Sequence, residues 1–304
     1  MSLNRSRDRS RRFLLALSLL SVFALGALIV SCGGSNATNI GPMSCAGPAV
    51  DVVGDWTLTF TNGGVPVTGP GVINSSGLAV FFQTTTTVSA PGDTVVLPAI
   101  SGANCFSGTG VSYGTAASGG GTASDTVQGT VNSTSSITGS ITNGNTFSMA
   151  SASPLTGPVA ALSGSMLAEI EGGATAAIWQ LTFVPSGVGS SMSFSGTDGQ
   201  SCSVSGSFNQ EGGDLSTLNV FDTSMTFSGT CPDTGVDTVT GLGFESSSDY
   251  FDMNGNNGGT YLYSASSSSA LVFEIYLEPE LGIAPPASRA ANHELAAAPW
   301  AGIF

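Results

Sequence analysis

The residues that most often perform catalysis are scarce in this chain. The single histidine is His293, near the C-terminus, so the body of the chain offers no histidine to activate a serine or a cysteine. Ser–His and Cys–His nucleophiles and histidine-based zinc sites are therefore not expected. Two carboxylates could perform acid–base chemistry, as in glycosidases. Nineteen carboxylates follow residue 31 and their spacing singles out no pair, so we predict a protein that is not an enzyme, with a secreted carboxylate-dependent hydrolase as the alternative.

One stretch has the oxygen-bearing side chains and the spacing of a calcium loop. These residues are Asp249, Asp252, Asn254 and Asn256. An EF-hand-like loop needs Gly at its sixth position and Glu at its twelfth, where this chain has Asn257 and Tyr263. Asn-Gly is the strongest short hairpin signal, so a hairpin turn is the favoured interpretation. Calcium-dependent surface adhesion stays as a second alternative, and no other cofactor is expected.

The N-terminus has the composition of an export signal. Five arginines precede the uncharged apolar run Phe13–Val30, and a small residue, Ser31, follows that run. The stretch Ile29-Val30-Ser31-Cys32 resembles the lipobox of bacterial lipoproteins, which implies removal of residues 1–31 and attachment of diacylglycerol to Cys32. The alternative is an uncleaved transmembrane anchor, because the apolar run reaches the length of about 18 residues that a span needs. Both interpretations place the body of the chain outside the cytoplasm.

The resemblance also implies where the lipid anchor lies. The residue after Cys32 is Gly33, and not the aspartate that resembles an inner-membrane retention signal. We therefore expect a cell-envelope protein held by its lipid in the outer membrane. The anticipated partners are the membrane and an envelope component.

Removal of the signal leaves an almost purely acidic chain. Arg289 is then the only cation against nineteen carboxylates, a net charge of −18, and the chain contains no lysine. Nucleic-acid binding is excluded, because it requires Lys or Arg to neutralise phosphates.

Hydrophobic residues alternate with polar ones in several short segments, the period of half-buried strands. The string W-x-L-T-F occurs at residues 56–60 and again at 179–183, and similar alternation marks Cys202–Phe208, Met225–Cys231 and Leu271–Leu277. Glycine and β-branched residues disfavour long helices. The sequence therefore predicts an all-β fold.

Four cysteines remain when Cys32 is set aside, an even number that predicts two disulfides in an oxidising compartment. Cys202 and Cys231 lie on the apolar faces of two predicted strands in one half of the chain. We expect them to pair with each other, which leaves Cys45 with Cys105.

The repeated string and weaker sequence similarities between the two halves predict two tandem small antiparallel β-barrel or barrel-like sandwich domains after an N-terminal signal helix. Chance similarity in a chain of biased composition is the alternative. Gly54-Asp55-Trp56 is similar to the G-x-W opening strand of lipocalins and avidins, and the order Cys45, Trp56, Cys105 resembles that of an immunoglobulin-like sandwich. The predicted segments are a signal peptide (1–31), a flexible tether (32–44), β-domain 1 (45–153), β-domain 2 (159–279) and a Pro/Ala-rich tail (280–304).

This architecture predicts a non-enzymatic binding or structural role. In open barrels, a small apolar ligand would occupy a lumen lined by the apolar residues of the two repeated strings. These residues are Trp56, Leu58, Phe60, Trp179, Leu181 and Phe183. The alternative is that they fill a solid core.

Overall fold

The structure is a computed structural model of the 304-residue chain. It describes residues 47–62, 65–82, 94–100, 104–114, 121–152, 164–171, 177–185, 191–197, 201–212, 218–231, 238–246, 261–267 and 272–276. The predicted signal, the tether and the tail all lie outside these ranges.

The described residues form mainly strands, and no helix occurs among them, as the alternating patterns predict. The strands are β1 Gly54–Asn62, β2 Val65–Ile73, β3 Ala79–Phe82, β4 Thr94–Leu97, β5 Cys105–Gly114, β6 Gly121–Ser133, β7 Ser136–Ile141, β8 Thr146–Ser151, β9 Gly164–Glu171, β10 Ala177–Pro185, β11 Ser191–Thr197, β12 Cys202–Gln210, β13 Phe221–Gly229, β14 Thr238–Ser246, β15 Tyr261–Ser266 and β16 Val272–Tyr276.

The strands form two sheets, and each sheet closes into an eight-stranded barrel. Strands β1–β8, the first barrel, pair antiparallel with their neighbours in the chain, and β8 returns to pair with β1. Strands β9–β16, the second barrel, follow the same path, and β16 returns to β9. Both barrels belong to one compact unit, Asn39–Phe304. The all-β prediction is confirmed, and of the two predicted architectures the strands form closed barrels.

Alternation of side chains places the core inside each barrel. In β1, Trp56, Leu58 and Phe60 are buried, whereas Thr57 and Thr59 between them are partly exposed. In β12, Cys202, Val204 and Phe208 are buried in the same way. The serines and threonines of these strands face outward, which explains how a chain so rich in hydroxyl groups still has an apolar core.

Phenylalanine rings fill the interior where the facing strand carries glycine. Phe147 lies opposite Gly139, and a Cβ atom on this glycine would approach the ring to 2.2 Å. The same arrangement recurs in three other cross-strand pairs: Phe81 with Gly71, Phe106 with Gly129, and Phe194 with Gly206. An eight-stranded barrel has just enough interior space for side chains. These glycines therefore provide the room that the aromatic rings occupy.

The repeated string lies on different strands of the two barrels. Trp56–Phe60 is in β1, the first strand of its barrel, whereas Trp179–Phe183 is in β10, the second strand of the other. In both strings the leucine pairs with a methionine, because Leu58 lies opposite Met149 of β8 and Leu181 lies opposite Met166 of β9. These partner strands are the last strand of the first barrel and the first strand of the second.

Candidate functional site between the two barrels

The proposed ligand-lining residues of the first barrel are part of its packed core. Trp56, Leu58 and Phe60 belong to one cluster of buried side chains. The indole Nε1 of Trp56 donates a hydrogen bond to the backbone oxygen of Val52 at 2.8 Å, and the ring centroids of Phe60 and Phe147 are 5.8 Å apart. At these positions the interior of the first barrel is occupied by protein side chains.

The counterparts in the second barrel are described only in part. Leu181 is buried. The side chains of Trp179 and Phe183 lie outside what the structure describes. Aromatic contacts do continue through this barrel, because Phe208 lies 5.4 Å from Phe194 and 6.5 Å from Phe221 between ring centroids.

The predicted Cys202–Cys231 disulfide is confirmed. It connects the first residue of β12 to the segment just after β13. Cys105 is also disulfide-bonded, whereas Cys45, its predicted partner, lies outside the described residues, as does Cys32. The calcium candidates Asp249, Asp252, Asn254 and Asn256 lie outside them too. Among the residues that the structure does describe, no group of three or more His, Cys, Asp or Glu side chains could hold a metal ion.

Between the barrels lies a second apolar cluster, which we call the junction. From the first barrel it contains Val72, Val80 and Phe82, and from the second it contains Val220, Leu242, Phe244 and Ala265. The rings of Phe82 and Phe244 stack with centroids 5.8 Å apart. In the first barrel, Val72 and Val80 pair across strands and alternate with the inward-facing Phe81. The outer faces of β2 and β3 are therefore apolar where they meet the second barrel.

A buried polar network lies beside this apolar cluster. Asn219 of the second barrel donates from Nδ2 to Asp55 Oδ2 of the first barrel at 2.8 Å, and also to the backbone oxygen of Glu245 at 2.7 Å. The backbone N–H of Glu245 donates to Asn219 Oδ1 at 2.7 Å. The amide of Asn219 thus pairs with the backbone of β14 and at the same time reaches across to β1.

Burial changes the acidity of both carboxyl groups near Asn219. The side chains of Asp55 and Glu245 are each only 9% exposed. Loss of water raises the pKa of Asp55 to about 7, although the hydrogen bond from Asn219 opposes this shift. Burial likewise raises the pKa of Glu245 to about 7. Both groups therefore accept protons at a pH at which an exposed carboxylate is fully ionised.

Two further bridges connect the β2–β3 turn to the second barrel. Asn74 Nδ2 donates to Asp222 Oδ1 at 2.9 Å, while its Oδ1 accepts from the backbone N–H of Leu78 within the turn. Ser75 donates from its backbone N–H and its hydroxyl to Glu211 Oε1 at 3.3 and 3.1 Å. Each of these three polar bridges therefore ends on a carboxyl group that accepts from a neutral donor.

The buried carboxyl groups and their hydrogen bonds fit a structural contact between two barrels better than a hydrolytic centre. A carboxyl group with a raised pKa is a property of general acids. A glycosidase, however, needs two carboxyl groups that flank a bound sugar in an accessible cleft. Asp55 and the bridging Asn219 are instead buried where the two barrels meet.

The sequence does contain a signal for the junction, although the period-2 alternation of half-buried strands does not show it. Ala79–Phe82 is a continuous apolar run, and all four residues are buried. Such a run marks a strand covered on both faces. No comparable signal marks Asp55, because its burial depends on Asn219 and on the rest of a barrel distant in the chain.

Within the described ranges, no helix has the length and apolarity required to cross a membrane. Comparisons with protein-family models, curated protein sequences and solved structures find no match to this chain.

Proposed function

We propose that this protein is an envelope-anchored lipoprotein with a non-enzymatic, structural role. Residues 1–31 act as a signal helix that is removed, and Cys32 carries the lipid. Two tandem barrel domains, within 45–153 and 159–279, follow a flexible tether. Together they form a single body held away from the outer membrane.

The contacts at the junction are the main observation that supports the structural role. Apolar residues from both barrels cover one another, and three side-chain bridges cross the same contact. While this contact is closed, burial of this kind favours a fixed arrangement over two independently moving modules. In addition, the interior of the first barrel holds its own Trp and Phe side chains, where an apolar ligand would otherwise be bound.

The composition of the body supports placement outside the cytoplasm. The Cys202–Cys231 bond is typical of an oxidising compartment. No lysine or arginine occurs between Phe13 and Ser288, so anionic lipid headgroups do not attract the barrels themselves. Attachment to the membrane must then come from the lipid on Cys32, which needs at least two acyl chains for stable anchoring.

Mass spectrometry of the mature N-terminus tests the anchor. The expected product begins at a lipid-modified Cys32, and the Cys32→Ser variant carries no lipid and leaves the membrane fraction. An unmodified chain that retains residues 1–31 would contradict the lipoprotein proposal.

Organic extraction of the natively purified protein tests the structural role separately. A structural protein yields no stoichiometric small apolar molecule. Recovery of one such molecule per chain would support a ligand carrier and overturn the structural role, while leaving the lipid anchor unaffected.

A further inference from the structure

Asp55 is enclosed at the junction with few hydrogen-bond partners. Its Oδ2 accepts a single hydrogen bond, from Asn219, and its Oδ1 is buried without a hydrogen-bond partner. An ionised carboxylate normally accepts several hydrogen bonds, or pairs with a cation when it is buried. The surroundings of Asp55 therefore stabilise its negative charge poorly.

The titratable groups around the junction are all acids. From the second barrel these are Glu245, which follows the junction residue Phe244 in β14, Asp222 on β13 and Glu211 after β12. From the first barrel, Asp51 lies in the segment before β1, where it accepts from the backbone of Val53. The chain has no Lys, Arg or His anywhere between residues 13 and 288. The described part of the protein therefore has no basic side chain that could compensate the charge of Asp55.

Protonation of Asp55 is then the remaining way to remove its buried negative charge. Because burial raises the pKa of Asp55 above its ordinary value, the closed junction binds this proton more tightly than an open junction does. By linkage, acid pH favours the closed state. As pH rises from about 4 to about 7, that preference declines, and above pH 7 the closed junction contains a buried charge.

We propose that the junction is a proton-dependent clamp: protonated Asp55 holds the two barrels together, and ionised Asp55 allows them to separate. Each barrel keeps its own closed sheet in both states, because the strand pairings lie within the barrels and not between them. This inference depends on the junction alone and is independent of the lipid anchor.

Hydroxyl-radical footprinting of the full mature chain tests the clamp. Phe82 and Phe244 report on the junction, and Phe147, inside the first barrel, reports on the barrel itself. From pH 5 to about pH 7, we expect oxidation of Phe82 and Phe244 to increase, by at most about tenfold per pH unit for one titrating group, and then to stay level up to pH 9. Oxidation of Phe147 should stay constant over the same range.

Two variants distinguish the effect of Asp55 on the pH response from that of another acidic residue at the junction. Asp55→Asn preserves an acceptor for Asn219 but cannot ionise, so oxidation of Phe82 and Phe244 should depend less on pH in this variant than in the natural protein. Asp222→Asn also preserves its acceptor, for Asn74, and should retain the pH response of the natural protein. A response in Asp55→Asn as large as that of the natural protein, or equal protection of the natural junction at both pH values, would overturn the clamp.

A direct titration covers the case in which Asp55→Asn fails to fold. Carbon-13 NMR of the Asp55 carboxyl in the natural protein should show a midpoint near pH 7. A midpoint at the value of an exposed aspartate, about 3.9, would refute the proposal.

Discussion

Phe82 of the first barrel and Phe244 of the second stack across the junction with their ring planes 18° apart. Each side chain points away from its own barrel and is buried only because the other barrel is present. A substitution in this pair therefore reports how much the contact between the barrels contributes to the stability of the protein.

Replacing Phe82 with alanine should destabilise the protein, because the substitution leaves a cavity in the junction. The expected loss is about 3 kcal/mol, at the lower end for buried Phe→Ala changes, because the contact can close partly around the gap. Urea denaturation measures the free energy of unfolding. Val184→Ala is the control, since Val184 is 58% exposed and its truncation should change stability by less than about 0.5 kcal/mol. Equal effects of the two substitutions would contradict the junction.

Gly139→Ala should destabilise the first barrel. The added Cβ would lie 2.2 Å from the Phe147 ring and 2.5 Å from the backbone oxygen of Gln128, so the ring and the strand must both shift. Overpacking of this kind costs about 1–3 kcal/mol. Thermal denaturation should show a lower Tm than that of Ser148→Ala, a control on the exposed face of β8. An unchanged Tm for Gly139→Ala would mean that the ring has room to move.

Asn219→Ala removes three hydrogen bonds at once. It leaves Asp55 Oδ2 and the backbone N–H of Glu245 buried without their partners. Each orphaned group costs about 1–3 kcal/mol, so the combined loss should exceed about 2 kcal/mol in chemical denaturation. Asn132→Ala provides the comparison, because Asn132 bonds Thr138 on the exposed surface and should change stability by no more than about 0.5 kcal/mol.

Removal of the Cys202–Cys231 bond by a double serine substitution should lower the free energy of unfolding. The cysteines are 29 positions apart, and closing a loop of that length in the unfolded chain corresponds to about 3.5 kcal/mol in the chain-entropy model. The oxidised natural protein, denatured without reductant, provides the matched comparison, because reductant would also break the disulfide of Cys105. A double variant as stable as the oxidised protein would show that pairing of β12 with β13 suffices without the covalent bond.

The stability of the whole chain should depend on pH through Asp55 and Glu245. The folded pKa of each group is about 7, against 3.8 and 4.5 for the unfolded groups, so the folded state binds more protons between those values. The free energy of unfolding should therefore fall as pH rises from about 4 to about 7. In the double variant Asp55→Asn, Glu245→Gln this fall should be smaller, as measured by urea denaturation at a series of pH values. An identical slope in the variant would contradict burial of these carboxyls.

Local alternation was enough to predict much of the fold. It identified the strands around Trp56 and Cys202 and the last strand, β16, and the shared apolar face of Cys202 and Cys231 led to the disulfide that the structure contains. These features depend on residues that are close in the chain or that occupy neighbouring strands.

The junction could not be predicted in the same way. Asp55 and Asn219 are 164 positions apart, and nothing near Asp55 in the sequence distinguishes it from the other carboxylates. Its unusual acidity arises only when the second barrel covers the outer face of β1. The continuous apolar run of β3 is typical of a strand covered on both faces, but it does not specify what covers the outer face.

The closed path of each barrel has a consequence for the order of folding. All but one of the pairings in the first barrel join strands that follow each other in the chain, and the exception brings Trp56 opposite Ser151, 95 positions away. Pairing of strands that follow each other closes a short loop of chain. Pairing of β8 with β1 must instead overcome the larger entropy cost of closing a long loop. The barrel is therefore complete only when β8 has reached β1, and until then two strand edges stay open to pairing with another chain. We therefore expect pairing of β8 with β1 to be the slow step of folding, and this step also removes the open edges that favour aggregation.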